Sequence, residues 1–545
     1  MSSGATRRWA LQLPLATAGI AAGVEPAIAQ QSPRSTKVGN GPLYYNVETS
    51  SGTVQGWANT GVISFLGIPY GADTGGRNRF MPPRKPAPWR GVRECFNYGQ
   101  VCPQVPASLA DQRLQLMQQS ILPGGYGENC LVLNVYTPGV KDNRKRPVVF
   151  AIHGGGYETG SGNHSVFDGG GLCRFGDVVL VAINHRLNVF GFLDLASAGA
   201  PAEFQYSGVA GMMDIVAALQ WVRDNIGNFG GDPDRVTIIG QSGGGGKVSI
   251  LMAVPSAKGL FHRAVAQSGV AVRIRERESA ARTTKSFMAH AGISDFRALQ
   301  AAPWQVLAEA HATMPARSGA DYTPTVGTDF LPQHPFDPAA PAVSAHVPMI
   351  ISNCLGDTGA SDYDLSEAQL KAYIGTFAPG EEEKVLALYG RTRGTKSPFK
   401  IRAEIQADTG LVPRVDIQAV RKAALKAAPV YRYQWDWNSS ALDGRMGPIH
   451  HMDVPASMAH PYHAMLGGGG DDAKAISLQL ASAVVAFART GDPNNDNIPA
   501  WQPFDGDSRA TMIFDTETRL EHDPRGEIRK FWLARKRTQG TGADK

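Results

Sequence analysis

Ser242 sits in the run Gly240-Gln241-Ser242-Gly243-Gly244, after the β-branched residues of "TIIGQ" and before the stretch "GGGKVSILMAV". A lone hydroxyl among residues without a Cβ suits nucleophilic chemistry. Glycines two before and two after remove the clashes of a tight strand-to-helix bend, so the hydroxyl can stand exposed at its tip. A helix beginning just beyond aims backbone N–H groups at the same spot. The pattern alone is weak in a chain with 62 glycines, and its place between a predicted strand and a predicted helix gives it weight. Ser268, in "AVAQSGVAV", has no glycine two before it and reads as structural. A serine that attacks an acyl carbon also needs donors for the oxyanion. His153-Gly154-Gly155-Gly156 follows another apolar strand and precedes Ser242 in the chain. The predicted donors are the N–H groups of Gly155, Gly156 and Gly243, each worth about 3–4 kcal/mol of barrier. His153 reads as a residue that orients this loop rather than as a base.

These groups need a frame. Buried, β-rich runs at 146–156, 177–187, 234–240, 347–353 and 430–437 alternate with amphipathic stretches. In 214–231, Ile215, Ala218, Leu219, Val222 and Ile226 share one helical face, and glycines end the helix. Strand and helix in alternation predict an α/β fold with a mostly parallel sheet and helices on both faces. In such sheets chemistry sits beyond the carboxyl ends of the strands, where Ser242 and the 153–156 glycines both fall.

The 545 residues are 43% hydrophobic and 19% charged, with a formal net charge of +5 and no concentrated basic stretch, so no nucleic-acid footprint is visible. The first 29 residues, with Arg7 and Arg8, a mildly apolar stretch and Ala27-Ile28-Ala29 before Gln30, predict a twin-arginine-like export signal and a periplasmic or secreted protein. No later run is long and apolar enough for a bilayer, and no membrane anchor is expected. A single catalytic domain is expected over 30–534, with a polar, frayed tail at 535–545. Cys95, Cys102, Cys130, Cys173 and Cys354 are an odd set, so at least one thiol stays free if all pairing is intramolecular. No role is assigned to Cys95, Cys173 or Cys354.

Longer motifs then follow in order: "FLGIPYGADTGGRNRFMPP", "ENCLVLNVYTP", "VAINHRLNVFGFL", "ALQWVRDNIGNFGGDPDRVTIIGQSGGG", "LFHRAVAQSG", "FARTGDPN" and "WQPF". Over about residues 42–533 the chain resembles the type-B carboxylesterase family, with Asn129 where the family usually has Asp. The resemblance implies an α/β-hydrolase fold and hydrolysis of a small-molecule ester with no cofactor and no metal. It aligns "GPIHHMDVP" with the family's histidine segment, giving His450 as the base, while His451 falls where glycine is usual. His451, His460 and His463 read as pocket or surface residues. Asp357, in "LGDTG", aligns with the family's glutamate, and the shorter side chain requires its turn to approach the imidazole by about 1–1.5 Å more. Asp362 and Asp364 remain alternatives. The chain order Ser242, Asp357, His450 is that of the α/β-hydrolases. The resemblance also pairs Cys102 with Cys130 in a disulfide closing a lid-like loop that carries Leu114, Leu116, Met117, Ile121 and Leu122. Non-catalytic binding proteins of the same family lose the nucleophile, whereas here Ser242 is present. Lipases of the family act at an oil–water interface, a second expectation for this chain.

Overall fold

Successive residues of a strand point to opposite faces of the sheet, and this chain buries both sets. In the strand Arg146–Ile152, Val148, Phe150 and Ile152 join one hydrophobic core, while Val149 and Ala151 join another. The first core includes Met212, Ile215, Leu219 and Val222 of the helix Ala210–Asn225. The second includes Ala483, Val484 and Phe487 of the helix Asp471–Thr490. Helices therefore cover both faces, which is why the central strands read as unbroken apolar runs rather than alternating ones.

The structure is a computed structural model that describes residues 43–106, 111–117, 123–315, 322–390 and 396–538. The expected export signal, with Ile121 and Leu122 of the expected lid, lies outside the described residues. The strands are β1 (Tyr44–Thr49), β2 (Gly52–Asn59), β3 (Val62–Pro69), β4 (Val92–Glu94), β5 (Val132–Thr137), β6 (Arg146–Ile152) and β7 (Val179–Ile183). They continue with β8 (Gly231–Gln241), β9 (Arg263–Gln267), β10 (Met349–Cys354), β11 (Val430–Trp435), β12 (Ala510–Phe514) and β13 (Arg519–His522). They form one sheet in the order β1-β2-β3-β5-β7-β6-β8-β9-β10-β11-β12-β13, with β4 beside β2. From β7 to β12 every neighbouring pair is parallel. The antiparallel pairs lie toward the two edges. The mostly parallel sheet expected from the sequence is thus present, and the five predicted strands are β6, β7, β8, β10 and β11.

A smaller core joins the helices Glu367–Gly375 and Glu382–Gly390 to the last helix, Gly526–Thr538, through Leu370, Tyr389, Ile528 and Trp532. That last helix crosses the expected boundary at 534 by a single turn. It runs on through Thr538, and Arg535 pairs with Glu381 while its guanidinium stands 3.7 Å above the Phe531 ring.

Candidate active site

β8 ends at Gln241, the helix Gly243–Leu251 begins two residues later, and Ser242 is the joint. Its backbone, φ 59° and ψ −125°, is a conformation that side chains rarely adopt and that persists only where the surroundings hold it. Two hydrogen bonds hold it: Ser242 N donates to Gln267 O at 2.8 Å, and Ser242 O accepts from Gly246 N at 3.0 Å. The flanking glycines are required by contact. A Cβ on Gly240 would stand 2.5 Å from Gly244 O, and one on Gly244 would stand 2.2 Å from Ile152 O. The elbow anticipated from the sequence is therefore real, and its glycines pack backbone on backbone. Ser268 is buried, and its N–H donates to Ser352 O at 3.0 Å, in keeping with a structural role.

The 153–156 turn lies against this elbow. A Cβ on Gly154 would reach within 3.3 Å of Ser242 Cβ, and one on Gly243 within 2.1 Å of Gly156 O. Gly155 and Gly156 have φ of 83° and 64°, so both need glycine's freedom. Among the described residues, the N–H groups of Gly155, Gly156 and Gly243 donate to no protein acceptor. The directions of the first two follow from the carbonyls in the same peptide planes, which point the opposite way. His153 Nδ1 holds Gly154 O at 2.9 Å, and Thr159 N holds Gly155 O at 3.0 Å. His153 is buried and stacked on His185, with centroids 4.7 Å apart and planes 10° apart. Burial, with Lys247 nearby, lowers its pKa to about 3, so it stays neutral and orients the loop, as expected.

Asp357 and His450 meet across the same end of the sheet. Asp357 Oδ1 accepts from His450 Nδ1 in a short contact, and Asp357 Oδ2 accepts from Cys354 N at 2.9 Å. A bridge between Gly356 and Ile449 sets the two residues side by side, with Gly356 N donating to Pro448 O at 3.0 Å. This pairing brings the two backbones together, so the short aspartate side chain reaches the imidazole. The alternatives point elsewhere: Asp362 pairs with Arg402, and Asp364 is almost fully exposed, 3.9 Å from Arg445.

The sequence reading missed Gln241. A carboxylate only accepts, so His450 carries its proton on Nδ1 and leaves Nε2 as an acceptor. Gln241 Nε2 fills it at 3.1 Å, and Gln241 Oε1 in turn accepts from His451 Nδ1 at 3.0 Å. One ordered chain thus runs from His451 through Gln241 and His450 to Asp357. Ser242 Oγ makes no hydrogen bond among the described residues. His451 is buried, and burial holds its pKa well below the usual histidine range. His460 bonds Asp168 O at 2.9 Å, and His463 Nδ1 accepts from Met465 N at 3.2 Å, so neither approaches His450 by hydrogen bond. Behind this chain lies Asp453, wholly buried, accepting from Tyr433 OH at 2.7 Å. Desolvation raises its pKa to about 6. A cleft of about 60 Å³ opens beside Gly154, Gly155, Gln241 and His451, walled by Val166 and Phe167. Among the described residues no group of His, Cys, Asp and Glu is arranged to hold a metal ion.

The expected Cys102–Cys130 disulfide is corrected: all five cysteines are buried free thiols. The two sulfurs are close enough for a hydrogen bond, and Cys102 Sγ also accepts from Leu187 N at 3.3 Å. The base of the 103–129 loop is closed by other contacts. Val101 bridges Tyr126, Gln104 bonds both N and O of Gly160, and Arg79 grips Glu128 with two bonds of 2.6 Å. Of the expected lid residues, Met117 is buried, while Leu114 and Leu116 are partly buried.

A family model described as "Carboxylesterase family" matches residues 44–532. A para-nitrobenzyl esterase of Bacillus subtilis is 31% identical over 503 residues, covering 89% of this chain and 97% of its own. A phenmedipham hydrolase of Pseudarthrobacter oxydans is also 31% identical, covering 86% and 94%. Among solved structures, a Geobacillus stearothermophilus carboxylesterase superposes with a TM-score of 0.76 at 33% identity, covering 89% of this chain and 99% of that one. An esterase of Clostridium hathewayi described as hydrolysing aliphatic aromatic polyesters gives 0.77 at 31%, covering 90% and 98%. The sheet and its helices are accordingly those of an α/β-hydrolase, and the chain belongs to the carboxylesterase family as a carboxylic-ester hydrolase.

Proposed function

We propose that this esterase works through an acyl-enzyme, with Ser242 as nucleophile, His450 as general base and Asp357 as the carboxylate that orients and charge-stabilises the imidazole. The observation that carries the reading is the strained elbow at Ser242, pressed against a glycine turn whose N–H groups have no protein acceptor among the described residues, with the His450–Asp357 pair tied by hydrogen bond to Gln241, the residue just before it. His450 Nε2 exchanges the Gln241 amide for the Ser242 hydroxyl and takes its proton as Oγ attacks the ester carbonyl. Base assistance of this kind is typically worth about 10²–10⁴-fold. The N–H groups of Gly155, Gly156 and Gly243 hold the oxyanion. His450 then protonates the departing alcohol, and water repeats the sequence on the acyl-enzyme.

Relatives named for para-nitrobenzyl, phenmedipham and polyester hydrolysis support esters with aromatic portions as the first substrates to try. The test is a panel of esters of graded acyl length and leaving group on wild type and Ser242→Ala. Turnover by the wild type with none by the folded variant is expected. Undiminished turnover by Ser242→Ala would reject the scheme, and activity that jumps as substrate forms droplets would mark an interfacial lipase. We also propose export, from the paired Arg7 and Arg8. Changing both to lysine would then hold the protein in the cytoplasm, and unaltered export would count against a twin-arginine route.

A further inference from the structure

Lys247 lies in the helix that starts behind Ser242 and is completely buried. Burying an ammonium is costly unless it is paired. Among the described residues no carboxylate lies within ion-pair distance of it. Its hydrogen-bond partners are both carbonyls of the glycine turn. Nζ donates to Gly156 O at 2.8 Å and to His153 O at 3.2 Å, and it stands 5.2 Å from the centre of the Tyr157 ring.

The peptide planes of the turn show what this does. The 154–155 plane is held by His153 Nδ1, and the 155–156 plane by Thr159. The planes on either side, 153–154 and 156–157, end in the two carbonyls that Lys247 grips. Gly156 O is also the atom that leaves no room for a Cβ on Gly243. One side chain on the nucleophile's own helix therefore clamps both ends of the turn that carries the other free N–H groups.

We propose that Lys247 is a positioning residue for oxyanion capture, fixing the 153–156 turn in register with Ser242 by tying its first and last peptide planes to the helix behind the nucleophile. This rests on reading Gly155, Gly156 and Gly243 as oxyanion donors. Without the clamp the turn shifts, and a displacement on the order of 1 Å at a reacting centre costs roughly 10²-fold in rate.

The experiment compares Lys247→Met, close in length but without donors, with Lys247→Arg, which keeps donors and charge. Each variant is checked for native circular dichroism. Then kcat and KM are measured on a p-nitrophenyl ester, together with inhibition by an aryl trifluoromethyl ketone. The serine adduct of that ketone is an oxyanion, so its affinity reads the donors directly. For Lys247→Met the expectation is a kcat lower by about 10²-fold, KM within about threefold, and ketone affinity falling in step with kcat. Lys247→Arg recovers part of both losses. Near-normal kcat in Lys247→Met, or lost kcat with unchanged ketone affinity, would overturn the proposal. Failure of both variants to fold would do the same, since it would make the residue purely structural. Ser242→Ala run alongside separates the two readings. If Ser242 is essential while Lys247→Met is normal, only the role of the lysine falls; if Ser242 is dispensable, the acyl-enzyme scheme falls with it.

Discussion

Replacing Gly243 by alanine adds one methyl at the seam between the elbow and the glycine turn. Its φ lies outside the left-handed region, so alanine brings no backbone strain and the effect is steric. The new carbon would stand 2.1 Å from Gly156 O and 2.5 Å from its C and Cα atoms. Close C···O contacts in proteins lie at about 3.3–3.6 Å, so the turn and the helix must separate by more than about 1 Å. A shift of that size costs on the order of 10²-fold, and losing one oxyanion donor costs roughly 10²–10³. The expected Gly243→Ala enzyme folds, keeps KM within about threefold, and loses about 10²–10³ in kcat, or roughly 3–4 kcal/mol. The assay is steady-state hydrolysis of a soluble p-nitrophenyl ester, with thermal melting to certify the fold. Gly227→Ala is the control: its methyl meets nothing within 4 Å, and kinetics equal to wild type are expected. A folded Gly243→Ala enzyme with kcat within about fivefold of wild type would show that the turn does not lie at the reacting centre.

Three further outcomes follow from the same geometry. Asp357→Asn takes the charged acceptor from His450 Nδ1 and is expected to lower kcat by roughly 10⁴-fold, whereas Asp362→Asn and Asp364→Asn leave it near normal; steady-state kinetics on the three variants decide. Asp453 is buried with its pKa raised from 3.8 to about 6, so the folded state favours the neutral acid. Its contribution is present in full below pH 3.8 and is lost as pH rises through about 6, a difference on the order of 2–3 kcal/mol. Asp453→Asn should therefore match wild type in denaturant midpoint near pH 4 and exceed it at pH 7.5, and equal midpoints at both pH values would contradict this. Because all five cysteines are free thiols, titration of the unfolded protein without reductant should count five, and a count of three would restore the disulfide.

The frame was legible because physics writes it locally. Strands buried on both faces leave apolar runs such as that of β6, and a backbone-on-backbone elbow leaves glycines at 240 and 244. His450 and Asp357 were reached through resemblance, because their meeting depends on a bridge between Gly356 and Ile449, 93 residues apart in the same order as the pair itself. Gln241 lies inside the serine motif, but nothing local marks its role, since its two partners, His450 and His451, lie more than 200 residues further along the chain. Lys247 carried no local signal either. A lysine on a helix ordinarily faces water, and only the tertiary approach of the glycine turn gives this one two buried acceptors. The Cys102–Cys130 bond was expected from the family, but thiol contact, the Arg79–Glu128 pair and the Gln104–Gly160 bonds close the loop instead.

The acyl-enzyme scheme stands only if the hydroxyl at the elbow is the group that attacks. It is tested most directly by exposing the folded enzyme to diethyl p-nitrophenyl phosphate and mapping the adduct by peptide mass spectrometry. Activity is expected to vanish in proportion to one diethylphosphoryl group on the peptide containing Ser242, with none on Ser242→Ala. Inactivation with the label on another residue, Ser268 included, or full labelling of Ser242 with activity intact, would contradict it.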